Sequence, residues 1–472
     1  MARELDPAQF AAPSVLLFPD QIMLRDGPAA GHGLLIDGGK FRDLGPATDV
    51  ISRNPGVPVI RLDGKLVMPG FIDAHHHLTQ SFGKALAFGE PSEIYRRIWV
   101  PLEASLDDNL VELTSKLAAL EALRGGFTTV VDAGTRAKGD VSAVAAAAKG
   151  AGLRCVLGFI CNDLGPGARR DEIVKRAQAH LVRWESDGLI HPSLAISIPE
   201  AASDEMLQSV SRLCAEADAI FQSHVNEHLA AVERSLVARK LRPLEHLHQL
   251  GALGPHVLIA HGTLVTPFEL NILKETNTAV AYNPVATQWK GNAVAPATLM
   301  AALGIRFGIG TDGTRSDGFR LLDAAEATQR IAFGLGTGDF SCGAGWMWLE
   351  HATTAAAQAV GLGAVTGEIA VGKEADFLIV DIDVPEMQPS WDLTWELVRL
   401  ANRDQIIGVF VAGRLRLWRG WPLDWDAKAL MREVAQAAGA AVRSAPIQRI
   451  HAPSIEHRAR MQEKNAGRPK TT

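Results

Sequence analysis

The strongest constraint on this chain is a pattern that recurs eight times between about residues 66 and 315. Each time a short, continuously apolar run ends on polar or ionisable residues, and a longer helical stretch follows. The runs are LVMPGFIDAHHH (66–77), TTVVDAG (128–134), RCVLGFIC (154–161), LAISIPEA (194–201), AIFQSHVNE (219–227), HVLIAHG (256–262), TAVAYNP (278–284) and RFGIGTDG (306–313). Unbroken apolar runs suit strands buried on both faces, as in a parallel sheet. Between them, 107–124 places Leu110, Leu113, Leu117, Leu120 and Leu123 at three- and four-residue steps, a helical stripe. Gly125 and Gly126 follow as a left-handed stop. Strand and helix alternating in this way predict an α/β fold, a (β/α)8 barrel over residues 67–365.

The two ends read differently. Residues 1–66 and 366–425 hold short alternating pieces around Gly turns, among them SVLLF, HGLLIDGGKF, VIRLDG, GEIAVGKEADFLIVDID and QIIGVFVAGRLRLWRG. These predict antiparallel strands that pair into one small composite β-sandwich built from both flanks. Residues 426–472 predict a helix near 426–442 and then a loose polar tail.

Composition narrows the function classes. Hydrophobic residues make up 47% and charged residues 21%, which excludes disordered, collagenous and coiled-coil chains and supplies a large core. A net charge of −6 leaves no footprint for nucleic acid or an anionic membrane. No apolar stretch reaches the ~18–20 residues of a membrane span, and the start lacks a signal-peptide pattern. Cys155, Cys161, Cys214 and Cys342 are too few and scattered for a disulfide framework or a CxxC knuckle. The expectation is a cytoplasmic protein acting on a small molecule, with neither nucleic-acid nor membrane partners.

In a barrel, chemistry gathers at the C-terminal strand ends, where the βα loops open. The first run ends in His75-His76-His77; alternation puts His75 and His77 on one side and His76 on the other. The fifth run ends in His224-Val225-Asn226-Glu227, the sixth in His261 and the eighth in Asp312. Imidazoles and a carboxylate converging on one mouth are donors for a borderline divalent metal. Any one of these residues alone reads equally as core or surface; it is the joint placement that points to a metal site.

VMPGFIDAHHH, TTVVDAG, HVNE, IAHG, GIGTDG and GEIAVGKEADFLIVD, in this order, resemble the amidohydrolase superfamily, and more narrowly its heterocycle deaminase and triazine hydrolase branch. The resemblance runs from about 14 to 420. It implies one divalent metal, Zn²⁺ or alternatively Fe²⁺, held by His75, His77, His224 and Asp312. It further implies that His261 orients the attacking water and that Glu227 shuttles a proton to the leaving group or ring nitrogen. Asp312 would take the proton of that water. Glu200 keeps a binuclear alternative open, since related enzymes bridge two metals from the fourth strand. Gln80, Glu103 and Ser316 are candidate substrate contacts; each also reads as scaffold, Ser316 as a helix cap. Trp99 and Trp289 could wall an aromatic substrate or simply pack the core. Homo-oligomers are expected from the family.

The sequence also departs from that branch. The histidine expected after the fourth strand is absent from IPEAASDEM. The NPxSN motif is Asn283-Pro284-Val285-Ala286-Thr287, without its Ser and second Asn. Both departures fall in the expected substrate pocket and not in the metal shell, so they leave the hydrolytic chemistry intact and the particular substrate open. The activity the resemblance implies is hydrolytic deamination of an aminated purine, pterin or triazine. Hydrolysis of an amide, urea or carbamate, or removal of halide or alkylamine from a triazine, is the alternative on the same metal site. A non-catalytic binding barrel is the third reading, and its mark, an eroded ligand set, is not seen.

Overall fold

The computed structural model describes residues 5–91, 94–335 and 344–466, which build two sheets. Strands β1 (Ser14–Leu24), β2 (Gly27–Ala30), β3 (His32–Asp37), β4 (Lys40–Pro46) and β5 (Val59–Pro69) come from the first flank. The central strands are β6 (Phe71–His76), β7 (Phe127–Asp132), β8 (Arg154–Ile160), β9 (Ile190–Ile196), β10 (Ile220–Val225), β11 (Val257–His261), β12 (Ala279–Tyr282) and β13 (Phe307–Ile309). The second flank gives β14 (Phe377–Asp381), β15 (Ile406–Val411) and β16 (Arg414–Trp418).

Strands β6 to β13 pair in consecutive order and in parallel, one per apolar run. The ring is drawn together where β13 returns to β6. There the Asp312 N–H donates to the His75 carbonyl at 2.8 Å, and the Thr311 N–H to the Asp73 carboxylate at 2.8 Å. The (β/α)8 expectation therefore holds.

The flank strands form one mixed sheet in the order β16-β15-β14-β5-β1-β3-β4, with β2 on β1. The segment just before β14 closes over the β4 edge: Phe41 N–H donates to Lys373 O at 3.0 Å and Ala375 N–H to Gly39 O at 2.8 Å. Phe41, Phe377, Phe410 and Leu17 fill the sheet's interior. Not every pairing is antiparallel as expected, for β1 runs parallel to β5. The β3–β4 hairpin and the helix Ala47–Arg53 lie between these two strands in sequence, long enough a connection for a crossover.

The first apolar run serves both sheets. Leu66–Pro69 pairs with β14, and after Gly70 the chain enters the barrel at Phe71. Gly70 permits this close passage, because a Cβ there would lie 2.2 Å from the Thr128 side chain. The helix Asp108–Arg124 is N-capped by Asp107, whose carboxylate accepts from Leu110 N–H at 2.8 Å. Its leucines do not form one stripe facing the barrel. Ala118, Ala119, Ala122 and Leu123 pack inward, while Leu113 and Leu117 meet Leu430, Val434 and Ala438 of the helix Ala427–Ser444. Gly126, at φ +85°, makes the left-handed turn, whereas Gly125 is at φ −84° and is needed for close approach to the Ser316 carbonyl. The tail expected to be loose holds an exposed helix, Ser454–Ala466.

A buried ion pair ties the two sheets together. Arg154 donates through Nε and Nη2 to the Asp376 carboxylate at 2.8 and 3.1 Å, and both side chains are fully buried. Asp376→Ala strands the guanidinium and should cost about 3–5 kcal/mol. The expected readout is a lower urea midpoint; an unchanged midpoint would show that the pair contributes nothing. Cys155, Cys161 and Cys214 are buried free thiols, and Cys342 lies outside the described residues. Among the described residues no helix is long and apolar enough to cross a membrane.

Candidate active site

The residues singled out at strand ends converge on the mouth of the barrel. Three of these ends carry left-handed backbone at non-glycine residues: Asn226 (φ 54°), His261 (φ 74°) and Asp312 (φ 57°). Such conformations cost about 1–3 kcal/mol each and persist where the surroundings over-determine them, commonly at functional sites.

His75, His224, His261 and Asp312 each offer a ligand atom, all within 4.8 Å of one another. His77 joins them, with Nε2 3.3 Å from Asp312 Oδ1 and 3.2 Å from His224 Nε2. His75 Nε2 lies 3.4 Å from the same Oδ1 and has no hydrogen-bond partner although it is buried. An unpartnered buried nitrogen costs about 1–3 kcal/mol unless something takes its lone pair. A cation on this donor set would do so. The residues therefore fit a divalent metal.

Neighbouring groups orient the rings. His224 donates from Nδ1 to the Ser197 carbonyl at 2.7 Å, which leaves its Nε2 lone pair facing the cluster. His261 Nδ1 lies 3.3 Å from the Asn283 side-chain amide, and its Nε2 faces Glu227 Oε2 at 3.7 Å. His76 turns away, as alternation requires, onto Asp73 Oδ2 at 2.9 Å and Thr311 Oγ1 at 3.0 Å.

Burial favours the neutral imidazole at His77, His224 and His261, the form in which a histidine binds a metal. It lowers His77 and, reinforced by the imidazoles of His75, His77 and His261, drives His224 well below its ordinary value; His261 falls to about 3. For the carboxylates burial acts upward and is overcome. His261, Lys290 and His228 hold Glu227 well below the carboxylate range, and Lys290, His75 and His77 do the same for Asp312.

The cluster forms the floor of a cavity of about 380 Å³. Gln80 and Trp99 stand in its wall, as do Glu227 and Glu200. Glu200 pairs with Arg234 at 3.6 Å and is not part of the ligand cluster. Glu103 and Ser316 are not in the wall. Glu103 is fully buried, accepting from Thr79 Oγ1 at 2.6 Å, Thr135 Oγ1 at 3.2 Å and Arg136 Nη1 at 2.8 Å. Its reach to the cavity is indirect, through Arg136, which does line it. Ser316 packs behind the barrel against Gly125, and Asp317, not Ser316, caps the next helix. Trp289 lies outside this wall, edge-on to Phe88.

Sequence reasoning missed three contributors. Lys290 enters the site from the helix Pro284–Lys290, and Arg136 from the loop after β7. The third is distant in sequence. Ile450 lines the mouth because Glu90, fully buried, clasps its segment: its carboxylate accepts from Arg97, Arg449 and the N–H groups of Ile450 and His451 at 2.8–3.2 Å. Burial alone would raise the pKa of Glu90, and these donors instead hold it at about 2.

Over residues 66–416 the chain matches the amidohydrolase family. The chain belongs to that family. It is thus a metal-dependent hydrolase of C–N bonds. Among curated relatives, a 5-methylthioadenosine/S-adenosylhomocysteine deaminase from Moorella thermoacetica is 30% identical over 421 residues, 87% of this chain and 95% of that protein. A 5′-deoxyadenosine deaminase from Methanobrevibacter smithii is 29% identical over 391 residues, 81% of this chain and 87% of that one. Among solved structures, a zinc-bound adenosine deaminase from Xanthomonas campestris superposes with a TM-score of 0.84 at 24% identity, covering 91% of this amidohydrolase and 98% of that chain. The zinc complex of atrazine chlorohydrolase from Arthrobacter aurescens gives 0.78 at 19%, covering 90% and 100%.

Proposed function

We propose that this amidohydrolase deaminates an aminated heterocycle, a purine of the adenosine type, with one Zn²⁺ per chain held by His75, His77, His224 and Asp312. The observation that carries the reading is Glu227. A second, half-buried carboxylate shares the cavity with the ligand cluster, beside Asp312 and facing His261 Nε2. Expulsion of the amine needs a proton in either reaction, and the proton taken from water can serve it; addition of water to a ring carbon also needs a proton at the ring nitrogen, and that second transfer is the one an extra carboxylate suits. The names of the relatives support the same substrate class.

A bound divalent ion would supply the Lewis acidity that brings a water pKa toward ~7. The chain does the rest. Asp312 accepts the proton of the attacking water. His261, neutral and protonated at Nε2, donates a hydrogen bond to the oxygen as its charge develops. Glu227 carries a proton to the ring nitrogen or the departing amine. A C–O bond forms at the ring carbon, the C–N bond breaks, and ammonia and the ring lactam leave. Gln80, in the wall, can both donate to and accept from a ring edge. The reading places the enzyme in the cytoplasm as a homo-oligomer. Iron(II) has the same donor preferences as zinc here, and Glu200, engaged by Arg234, is not needed as a bridge.

The test is ammonia release by the metal-replete protein over aminopurine nucleosides, aminopterins, aminotriazines and cytosines, with Asp312→Asn as blank. Ammonia from the purine nucleosides is the expected result. Silence across the panel with metal bound overturns the deaminase reading. It would favour amides, ureas or carbamates, for which the imidazole-free segment Ser197–Glu200 of the wall leaves room.

A further inference from the structure

Lys290 is the last residue of its helix, and Gly291 follows at φ +68°, turning the chain so that the lysine side chain points back into the barrel mouth. Its ammonium lies 2.6 Å from Asp312 Oδ2 and 2.9 Å from Glu227 Oε1. Asn292 Nδ2 and His228 Nε2 approach the same Glu227 oxygen at 3.3 and 3.2 Å. Each carboxylate therefore has one oxygen engaged and one free. The free oxygens are those that face the chemistry: Asp312 Oδ1 toward His75 and His77, and Glu227 Oε2 toward His261.

We propose that Lys290 is a positioning residue that fixes the two carboxylates of the reaction with one ammonium, aiming one oxygen of each at the reacting centre. The inference rests on the hydrolytic reading of the site. A lysine suits the task, since a compact ammonium with three donors serves two carboxylates at once, while the planar fork of arginine favours a single bidentate partner. The location is also telling. Lys290 lies on the loop after β12, where the family's NPxSN motif has lost its Ser and second Asn to Ala286 and Thr287. That loop supplies a charged contact in place of the missing polar ones.

The experiment compares zinc-loaded wild type with Lys290→Met and Lys290→Arg, and records visible absorption of the cobalt(II)-substituted proteins without substrate. Lys290→Met should lower kcat about 100-fold, the scale of a misplaced acid–base group. KM should stay within about threefold, because uniform binding is not what is removed. Metal per chain should be unchanged, the cobalt(II) bands should shift as Asp312 loses its anchor, and Lys290→Arg should recover part of kcat. Near-wild-type kcat in Lys290→Met, or a loss confined to KM, overturns the proposal, as does an unshifted cobalt(II) spectrum. If Lys290→Met does not fold, Lys290→Gln carries the same tests. A wild type that releases no ammonia refutes the deaminase reading alone, since the cobalt(II) spectrum judges Lys290 without any substrate.

Discussion

Asp312→Asn is expected to leave no measurable turnover, a loss of at least about 10⁴-fold, the upper end of what one acid–base group contributes. Asparagine keeps the shape of the side chain, and its carbonyl oxygen can still face the Nε2 atoms of His75 and His77. Two things disappear. The neutral amide cannot take the proton of the attacking water, and it withdraws a full negative charge from the donor set. It also halves the carboxylate partners of Lys290, whose ammonium sits between Asp312 and Glu227. The variant should keep its fold, read as an unchanged circular dichroism spectrum. Metal per chain, measured alongside kcat, separates the two losses: full metal with no turnover assigns the effect to proton transfer. Retention of most of the activity would remove Asp312 from the mechanism.

Much of this site was legible because of where a barrel hides its strands. A strand buried on both faces must be apolar without interruption, so its polar terminus stands out, and the terminus is where the loops open onto chemistry. His75, His77, His224, His261 and Asp312 were readable for that reason, and all five meet at the mouth. The parallel β1–β5 pair was not legible, because alternation in short flank strands reports a half-buried face and says nothing of direction. The double use of LVMPGFIDAHHH was hidden too, although Pro69-Gly70 marks the break where the chain changes sheets.

Glu103 and Ser316 illustrate a different limit. A carboxylate near the first loop reads the same whether it faces substrate or, as here, anchors an arginine from the next loop. Lys290 was overlooked because QWKGN looks like an ordinary helix end with a glycine stop. Its only signal was a position on the same βα loop as Asn283-Pro284. Ile450 had no signal at all, since the clasp depends on Glu90, some 360 residues earlier in the chain. What sequence periodicity cannot supply is contact between segments that share no period.

Glu227→Gln is expected to lower kcat on an aminopurine nucleoside by about 10²–10⁴-fold, the share of a single proton-transfer group. KM should change little, because glutamine fills the same space and keeps contacts from Lys290 and Asn292 to its carbonyl oxygen. Its amide can still donate a hydrogen bond to a ring nitrogen, but it cannot deliver a proton. The choice of leaving group then separates the two duties assigned to Glu227. Ammonia must be protonated as it departs, whereas chloride leaves as the anion. On a chloropurine nucleoside the same variant should therefore lose less, and the loss that remains measures protonation of the ring. Equal losses on both substrates would assign Glu227 to the ring nitrogen alone. A kcat on the aminopurine within about threefold of wild type, too small for a lost acid, would show that the carboxylate carries no proton in this reaction.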